Sequence, residues 1–130
     1  MRTRVTDGDR GRVLIVVDDI GLVWPARHAL ESRGYQVRWS GDAKSAISAL
    51  EIFGPELVIV DVMLPRREGW TVLDTIRAYP QEERPKVIVI SGATGFEQTA
   101  QIEALGASEI LAKPFEVDQL VSQVGRALGR

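Results

Sequence analysis

The sequence has no cysteine, no excess of positive charge and no long apolar run, and each of these absences excludes a class of protein. Without cysteine the chain has no disulfides and no thiolate metal sites, which is compatible with a reducing compartment. The longest apolar runs, such as residues 57–60, are far too short to span a bilayer. No apolar block follows the N-terminal charges, as a signal peptide would require. We therefore expect a cytoplasmic protein without a membrane partner.

The charge balance argues against polyanionic partners. Sixteen Lys and Arg stand against eighteen Asp and Glu, which gives a formal net charge of -2. No basic excess favours nucleic acid, so we expect no direct nucleic-acid binding. Hydrophobic residues make up 45% of the 130 residues and charged residues 26%, close to the average of soluble globular domains. The composition predicts one ordinary globular domain.

A repeated pattern begins after a polar leader. Residues 1–10 lack apolar periodicity and are predicted to be a flexible leader, with the domain occupying residues 11–130. In the domain, a short apolar run rich in Val and Ile is followed five times by a segment with helical spacing, which indicates βα units. The predicted strands are 13–17, 36–39, 57–60, 86–90 and 109–111. The first, third and fourth are almost continuously apolar, as burial on both faces requires, and are expected at the centre of a parallel sheet.

The helices between these strands are less sharply bounded. The predicted spans are 25–33, 43–53, 70–79, 97–105 and 117–128. Pro25 should delay the first helix, because proline disfavours helical geometry at the residue before it. Asp42 is a candidate N-cap for the second helix, and the last helix carries its apolar residues along one stripe. The alternation predicts an α/β fold, a three-layer (βα)5 sandwich around a five-stranded parallel sheet.

Polar residues follow four of the five apolar runs. Asp18 and Asp19 follow the first run, Asp61 the third, Ser91 the fourth and Lys113 the fifth. Ligand sites of open parallel sheets lie outside the carboxyl ends of the strands, so we expect these side chains to converge. Each of them alone is read equally well as a polar loop residue or a helix cap. Their joint placement is what argues for a site.

Several carboxylates in one place require either a cation or a raised pKa to relieve their repulsion. At an effective dielectric constant of about 20, two carboxylates about 4 Å apart repel each other by roughly 4 kcal/mol. Oxygen ligands without His or Cys suit a hard cation, and few protein ligands suit Mg²⁺, with Mn²⁺ as a substitute. The hydroxyl of Ser91 and the ammonium of Lys113 are the groups wanted around phosphoryl oxygens. Together these residues indicate phosphoryl chemistry with Mg²⁺.

Four ordered segments resemble the receiver domain of the response regulators of two-component signalling. They are VLIVVDD at 13–19, LVIVDVMLP at 57–65, VIVISGA at 87–93 and LGASEILAKPF at 105–115. The resemblance implies a flavodoxin-like fold with strand order 2-1-3-4-5. It also implies a regulatory domain rather than an enzyme. Such a domain takes a phosphoryl group from a sensor histidine kinase or a phosphotransfer protein. It relays the signal through protein–protein contacts to a downstream protein or a fused output domain. A dimer is compatible with this function.

The same resemblance assigns a role to each candidate residue. Asp61 is the phosphoacceptor, and Ser91 and Lys113 hold the phosphoryl oxygens. The implied Mg²⁺ ligands are the side chains of Asp19 and Asp61, the backbone carbonyl of Met63 and, through water, Asp18. The Lys113–Pro114 peptide bond is expected to be cis, as is usual at this position of the family.

One position departs from the family in a way that affects function. Ile110, three residues before Lys113, stands where the family usually has Tyr or Phe. An aliphatic side chain lacks the ring and the phenol hydroxyl that couple Ser91 to the surface of the fourth helix and fifth strand. Either this coupling is altered, or Ile110 simply fills the space in both states. The alternative function is accordingly a phosphorylation-independent, receiver-like interaction module. A phosphotransferase acting on an outside substrate is disfavoured, because no insertion is available to build a substrate pocket.

Further expectations concern residues near the site. Leu22 and Trp24 are expected in the core, with an exposed patch for a partner as the alternative. Residues 66–68 are expected to form a solvated rim, in which an arginine docks an acidic kinase surface. His28 is expected to have a structural role at or near the surface, and Trp39 a packing role.

Overall fold

Five parallel strands form a single sheet. The structure is a computed structural model that describes residues 10–92, 100, 103–104, 106–107 and 109–129. The strands are β1 (Gly11–Val16), β2 (Tyr35–Ser40), β3 (Leu57–Asp61), β4 (Lys86–Ser91) and β5 (Glu109–Ala112). Their order is β2-β1-β3-β4-β5, so the predicted α/β fold and the order 2-1-3-4-5 are confirmed.

The three central strands are the three whose sequences are almost continuously apolar. All residues of β3 are buried, and β1 and β4 each bury all but one. Strand β2, at one edge of the sheet, exposes half of its residues. Because helices cover both faces of the sheet, a central strand has no face left for polar side chains. All strands end at the same edge, which we call the C-terminal edge.

Four helices of the described residues cover the two faces of the sheet. They are α1 (Ile20–Ser32), α2 (Ala43–Ile52), α3 (Glu68–Arg77) and α4 (Val117–Leu128). Side chains of α1 and α4 pack into one core cluster, and side chains of α2 and α3 into another on the opposite face. None of the helices in the described part of the chain has the length and apolarity needed to cross a bilayer. The helix predicted at 97–105 lies largely outside the described residues, as does most of the predicted leader.

Three of the predicted helix ends are set by caps. Asp42 is the N-cap of α2, as predicted, and its Oδ1 accepts a hydrogen bond from the Ser45 N–H at 2.8 Å. Helix α4 spans the predicted residues. It begins with a capping box between Glu116 and Gln119 and ends at Gly129, whose φ of 71° is a left-handed conformation that glycine adopts without strain.

The first helix begins earlier than predicted. It starts at Ile20, so Pro25 lies inside it. The Oδ1 of Asp19 accepts a hydrogen bond from the Gly21 N–H at 2.9 Å, and the Asp19 carbonyl accepts one from the Val23 N–H at 3.2 Å. Proline removes one backbone donor from a helix, whereas the cap at Asp19 and the burial of Val23 favour helix from the residue after the aspartate pair. The expected delay of the helix is therefore wrong.

The core expectation fails for Trp24. This residue is 61% exposed, because it lies outside the stripe of α1 that faces the sheet. Leu22 is partly buried against the core on the α1 side, and His28 is exposed, as expected of a surface residue. Trp39 is 38% exposed, and its indole N–H donates to the Val17 carbonyl at 2.8 Å.

Candidate functional site

The parallel register brings the predicted site residues to the C-terminal edge. Strand β3 ends at Asp61, β4 ends at Ser91, and Lys113 follows β5 directly. The Lys113 N–H donates to the Ser91 carbonyl at 2.8 Å, so the pairing of β5 with β4 continues to the site. Asp18 and Asp19 follow β1, which pairs with β3 in parallel.

Asp61 is a buried carboxylate held by two donors. The residue is 1% exposed. Its Oδ1 accepts a hydrogen bond from the Met63 N–H at 2.7 Å, and its Oδ2 accepts one from the Lys113 ammonium at 2.9 Å. A buried carboxylate is unfavourable unless its charge is compensated, and Lys113, whose side chain is 37% exposed, provides the compensating charge. The pair fixes one anionic oxygen beside a cation that reaches the surface.

The hydroxyl of Ser91 is buried and has no hydrogen-bond partner among the described residues. The residue is 1% exposed, and within the described residues no group lies within hydrogen-bonding distance of its Oγ. Leaving a buried polar group unsatisfied costs about 1–3 kcal/mol. Unsatisfied buried groups of this kind are often functional. A hydroxyl at the end of β4, next to the strand that ends in Asp61, fits an oxygen atom of a ligand bound at that carboxylate.

The remaining two aspartates are exposed at the same edge. One carboxylate oxygen of Asp19 caps α1, and one of Asp61 accepts from Lys113. No group of three acidic or histidine side chains that could hold a metal ion is present within the described residues. The donors, all of them oxygen atoms, are nevertheless those that a hard cation such as Mg²⁺ prefers. The donor atoms therefore fit Mg²⁺ in kind, and the carboxylate of Asp18 is exposed at the same edge.

The loop after β3 is anchored to two helices. Arg66 and Arg67 both have a φ of 58°, and the Arg67 guanidinium lies over the Trp70 ring at 5.2 Å. The Glu68 carboxylate accepts a hydrogen bond from the Ala43 N–H, the first of α2, at 2.7 Å. Both arginines are exposed, as expected. The prediction is wrong for Glu68, which is partly buried because the first N–H groups of a helix need acceptors from outside the helix.

Gly69 was not singled out from the sequence, although it shapes the site. A Cβ at this position would fall against the Asp61 carbonyl oxygen and 2.8 Å from the Cα of Val62. The absence of a side chain therefore lets α3 pack directly on the end of β3. Gly69 lies in the first turn of α3 but one residue before the predicted start of that helix, so its cost of about 1 kcal/mol relative to alanine could not serve as a signal for close packing.

Three other predicted positions have clear surroundings. The side chain of Met63 is exposed, and its Sδ and Cε lie 3.9 and 3.8 Å from where a Cβ on Gly92 would be. Ile110 is partly buried and packs against the core on the α2 and α3 side. The Lys113–Pro114 peptide is cis, as predicted.

Comparisons with known proteins agree with this geometry. The family model of the response regulator receiver domain matches residues 13–125. Response regulator MprA of Mycolicibacterium vanbaalenii is 29% identical over 119 residues, which is 92% of this chain and 51% of that protein. The DNA-binding transcriptional regulator NtrC of a Bradyrhizobium species is 33% identical over 120 residues, 91% of this chain and 24% of that protein. The chain thus spans about half of the length of MprA and about a quarter of the length of NtrC.

Solved structures show the same similarity over nearly the whole chain. A signal receiver domain from Vibrio parahaemolyticus superposes with a TM-score of 0.83 at 28% identity, covering 93% of this chain and 92% of that one. A CheY-like receiver domain protein from Methanospirillum hungatei gives a TM-score of 0.80 at 26% identity, covering 91% and 93%. With the family match over residues 13–125 and the strand order of the sheet, these similarities show that the chain belongs to the response regulator receiver domains of two-component signalling.

Proposed function

We propose that this chain is a phosphoacceptor switch that takes a phosphoryl group onto Asp61 and relays it through altered protein–protein contacts. The observation that carries the proposal is the combination of a buried Asp61 carboxylate, paired with Lys113 at 2.9 Å, and a buried Ser91 hydroxyl without a partner in the described residues. A carboxylate nucleophile, a fixed cation and a free hydroxyl are what phosphoryl transfer to a side chain requires.

The transfer step needs positioning more than acid–base catalysis. One carboxylate oxygen of Asp61 forms a bond to phosphorus while the bond from phosphorus to the donor breaks, and the electrons of that bond leave with the donor. For a phosphohistidine donor the broken bond is P–N, and the product is an acyl phosphate on Asp61. The hydrogen bonds from Met63 and Lys113 hold the nucleophile in one orientation before the donor arrives, which lowers the entropic part of the barrier.

The product places more charge at the C-terminal edge. A phosphoryl group carries about -1.5 to -2 charges near neutral pH, where the carboxylate carried one. The Lys113 ammonium already lies at the acceptor and can follow the charge to a phosphoryl oxygen. The Ser91 hydroxyl can donate its proton in a hydrogen bond to another phosphoryl oxygen, which gives a partner to a group that has none among the described residues.

A divalent cation is part of the proposal. Mg²⁺, or Mn²⁺ in its place, would be held by the carboxylates of Asp19 and Asp61, the backbone carbonyl of Met63 and, through water, Asp18. The cation would neutralise the phosphoryl oxygens during transfer.

The relay starts from the change in hydrogen bonding at Ser91 and Lys113. Ser91 is the last residue of β4, and Lys113 directly follows the adjacent strand β5. A shift of either residue therefore reaches the surface beside β5. Ile110 packs on the α2 and α3 side of β5 without an aromatic ring. We therefore propose a relay through displacement of the strand and its flanking surface rather than through a ring rotation.

The phosphodonor partner follows from the family. Receiver domains work with sensor histidine kinases or phosphotransfer proteins, in the cytoplasm, and we propose the same for this chain. MprA and NtrC are regulators longer than this chain. The downstream partner in our proposal is accordingly either a fused output domain or a separate protein.

The test is phosphorylation by acetyl phosphate in the presence of Mg²⁺, read by intact mass. The wild-type protein should gain one phosphoryl group, and the gain should disappear on Asp61→Asn and on chelation of the metal. Asp74→Asn is the matched control, because Asp74 is an exposed aspartate of α3 and its replacement changes the charge equally. Folding of each variant is checked by circular dichroism.

Two results would contradict the proposal. One is a folded wild-type protein that acquires no label from acetyl phosphate or from phosphorylated histidine kinases. The other is labelling that persists in Asp61→Asn. The first result would favour the phosphorylation-independent interaction module, which Ile110 alone supports.

A further inference from the structure

A second charged cavity opens at the opposite edge of the sheet, far from Asp61. It has a volume of about 270 Å³ and lies between the end of α1, the start of β2 and helix α4. Three arginines, Arg10, Arg33 and Arg126, line it, and its described lining residues include no acidic side chain. In a chain with a net charge of -2, such a concentration of positive charge in one cavity favours an anionic ligand.

One of these arginines is held in place by the fold. The Arg10 N–H donates to the Gly34 carbonyl at 3.0 Å, and the Arg10 guanidinium lies over the Tyr35 ring at 5.5 Å. Tyr35 is 2% exposed, so the Arg10 guanidinium stacks on the ring of a buried residue. A side chain that is already ordered loses less conformational entropy when it binds a ligand.

A second arginine is oriented by an acid from the neighbouring strand. Arg126 donates two hydrogen bonds to the Glu109 carboxylate, at 3.0 and 3.1 Å. This interaction lowers the pKa of Glu109, first through the hydrogen bond itself. Glu109 does not line the cavity, so Arg126 connects the first residue of β5 with the cavity. An anion in the cavity would compete with Glu109 for the same donors.

We propose that this cavity binds the diphosphate group of a small oligophosphate. The planar fork of arginine matches phosphate oxygens with two parallel hydrogen bonds, and several guanidinium groups suit a ligand with more than one negative charge. The Ser122 hydroxyl adds a polar group, and Gly125 leaves space along α4. Binding at this cavity does not require phosphorylation of Asp61.

Binding should reach β5 through Glu109. Release of Glu109 from Arg126 would remove both charge-assisted hydrogen bonds at the first residue of that strand, whose other end leads to Lys113. The cavity is thereby placed to bias the same strand that the proposed switch uses.

The experiment is an NMR titration of the ¹⁵N-labelled full chain in buffer without Mg²⁺, with inorganic pyrophosphate and, separately, ADP. Saturable shifts are expected for the amides of Gly34, Ser122 and Gly125. Arg33→Ala should weaken pyrophosphate binding by about threefold or more, because it removes one exposed charge-assisted contact. Arg38→Ala is the matched control, since Arg38 stacks over Phe53 outside the cavity, and it should retain the wild-type affinity.

A second variant tests the competition and does not weaken the site. Glu109→Gln removes the competing charge from Arg126 and should tighten pyrophosphate binding by about threefold. Equal affinities for pyrophosphate and ADP would assign the site to the diphosphate alone, whereas tighter binding of ADP would assign it to a nucleotide. The proposal is overturned if these amides do not shift, or if Arg38→Ala weakens binding as much as Arg33→Ala.

Discussion

Replacement of Gly69 by alanine should destabilise the protein, although alanine is the better helix former. The new Cβ would meet the backbone at Asp61 and Val62, and the Cα of Val62 would be only 2.8 Å away. Backbone atoms of a buried strand end cannot turn aside as a flexible side chain can, so α3 or the loop after β3 must shift. Forcing an extra methyl group into a packed site typically costs about 1–3 kcal/mol.

The gain in helix propensity offsets part of this cost. Contact with backbone atoms places the overpacking cost in the upper part of that range, about 2–3 kcal/mol, and the preference for alanine over glycine in a helix offsets about 1 kcal/mol of it. The net loss in free energy of unfolding should therefore be about 1–2 kcal/mol. With a urea m-value of about 2 kcal/mol/M, a net loss of 1–2 kcal/mol lowers the unfolding midpoint by about 0.5–1 M. Tryptophan fluorescence during equilibrium urea unfolding would follow the transition, since Trp70 is buried beside the substituted position.

Gly92→Ala provides the matched control. A Cβ on Gly92 would meet the side chain of Met63 at 3.8 Å, which is ordinary contact. This variant should unfold within about 0.5 kcal/mol of the wild-type protein. An unchanged midpoint for Gly69→Ala, or equal midpoints for the two variants, would refute the close approach of α3 to the acceptor strand.

Four further predictions follow from single side chains. Ser91→Ala should raise the free energy of unfolding by up to about 1 kcal/mol in urea, because it removes an unsatisfied buried hydroxyl, while slowing phosphorylation by acetyl phosphate. Hydrogen bonds from Ser45 lower the pKa of Asp42. The stabilisation by this cap is therefore present above the unfolded-state pKa and is lost as pH falls through the folded-state pKa. Asp42→Asn should flatten the acid end of a profile of stability against pH measured by urea unfolding. Arg66→Gly should stabilise the protein by up to about 1 kcal/mol in the same assay, because it relieves a φ of 58° in a residue with a side chain. Trp24→Ala should change the free energy of unfolding by less than about 0.5 kcal/mol, since the indole is 61% exposed.

The sheet could be predicted from the sequence because a strand that is buried on both faces has an almost continuously apolar sequence. Three continuous apolar runs gave the three central strands, and β2, which exposes half of its residues, gave an edge strand. Helix α4 was predicted with its observed bounds, since its stripe of apolar residues and its flanking glycine both act locally. These signals depend on neighbours in sequence.

The helix starts that were missed depend on single contacts. Helix α1 begins at the aspartate cap rather than at Pro25. Helix α3 begins at Glu68, two residues before the predicted start, because two arginines in left-handed conformation turn the chain into it. No local propensity favours that conformation for arginine.

The positions of the site residues followed from strand ends, but their contacts did not. The sequence placed Asp61 and Lys113 at the same edge, whereas their 2.9 Å ion pair joins residues 52 positions apart. The hydrogen bond from the Ala43 N–H to Glu68 likewise spans 25 positions, which is why Glu68 was expected in solvent. Trp24 was expected in the core because large aromatic residues usually pack. It is exposed because it lies outside the stripe of α1 that faces the sheet, and its position on the helix depends on where α1 starts.

The complete burial of β3 has a consequence for how the protein fluctuates. Strand β3 is hydrogen-bonded to β1 on one side and β4 on the other, so its amides can exchange with solvent only when much of the sheet opens. Helices and loops can fray at lower free energy without disturbing it. We therefore expect Asp61, the last residue of this strand, to stay attached to the part of the sheet that opens last.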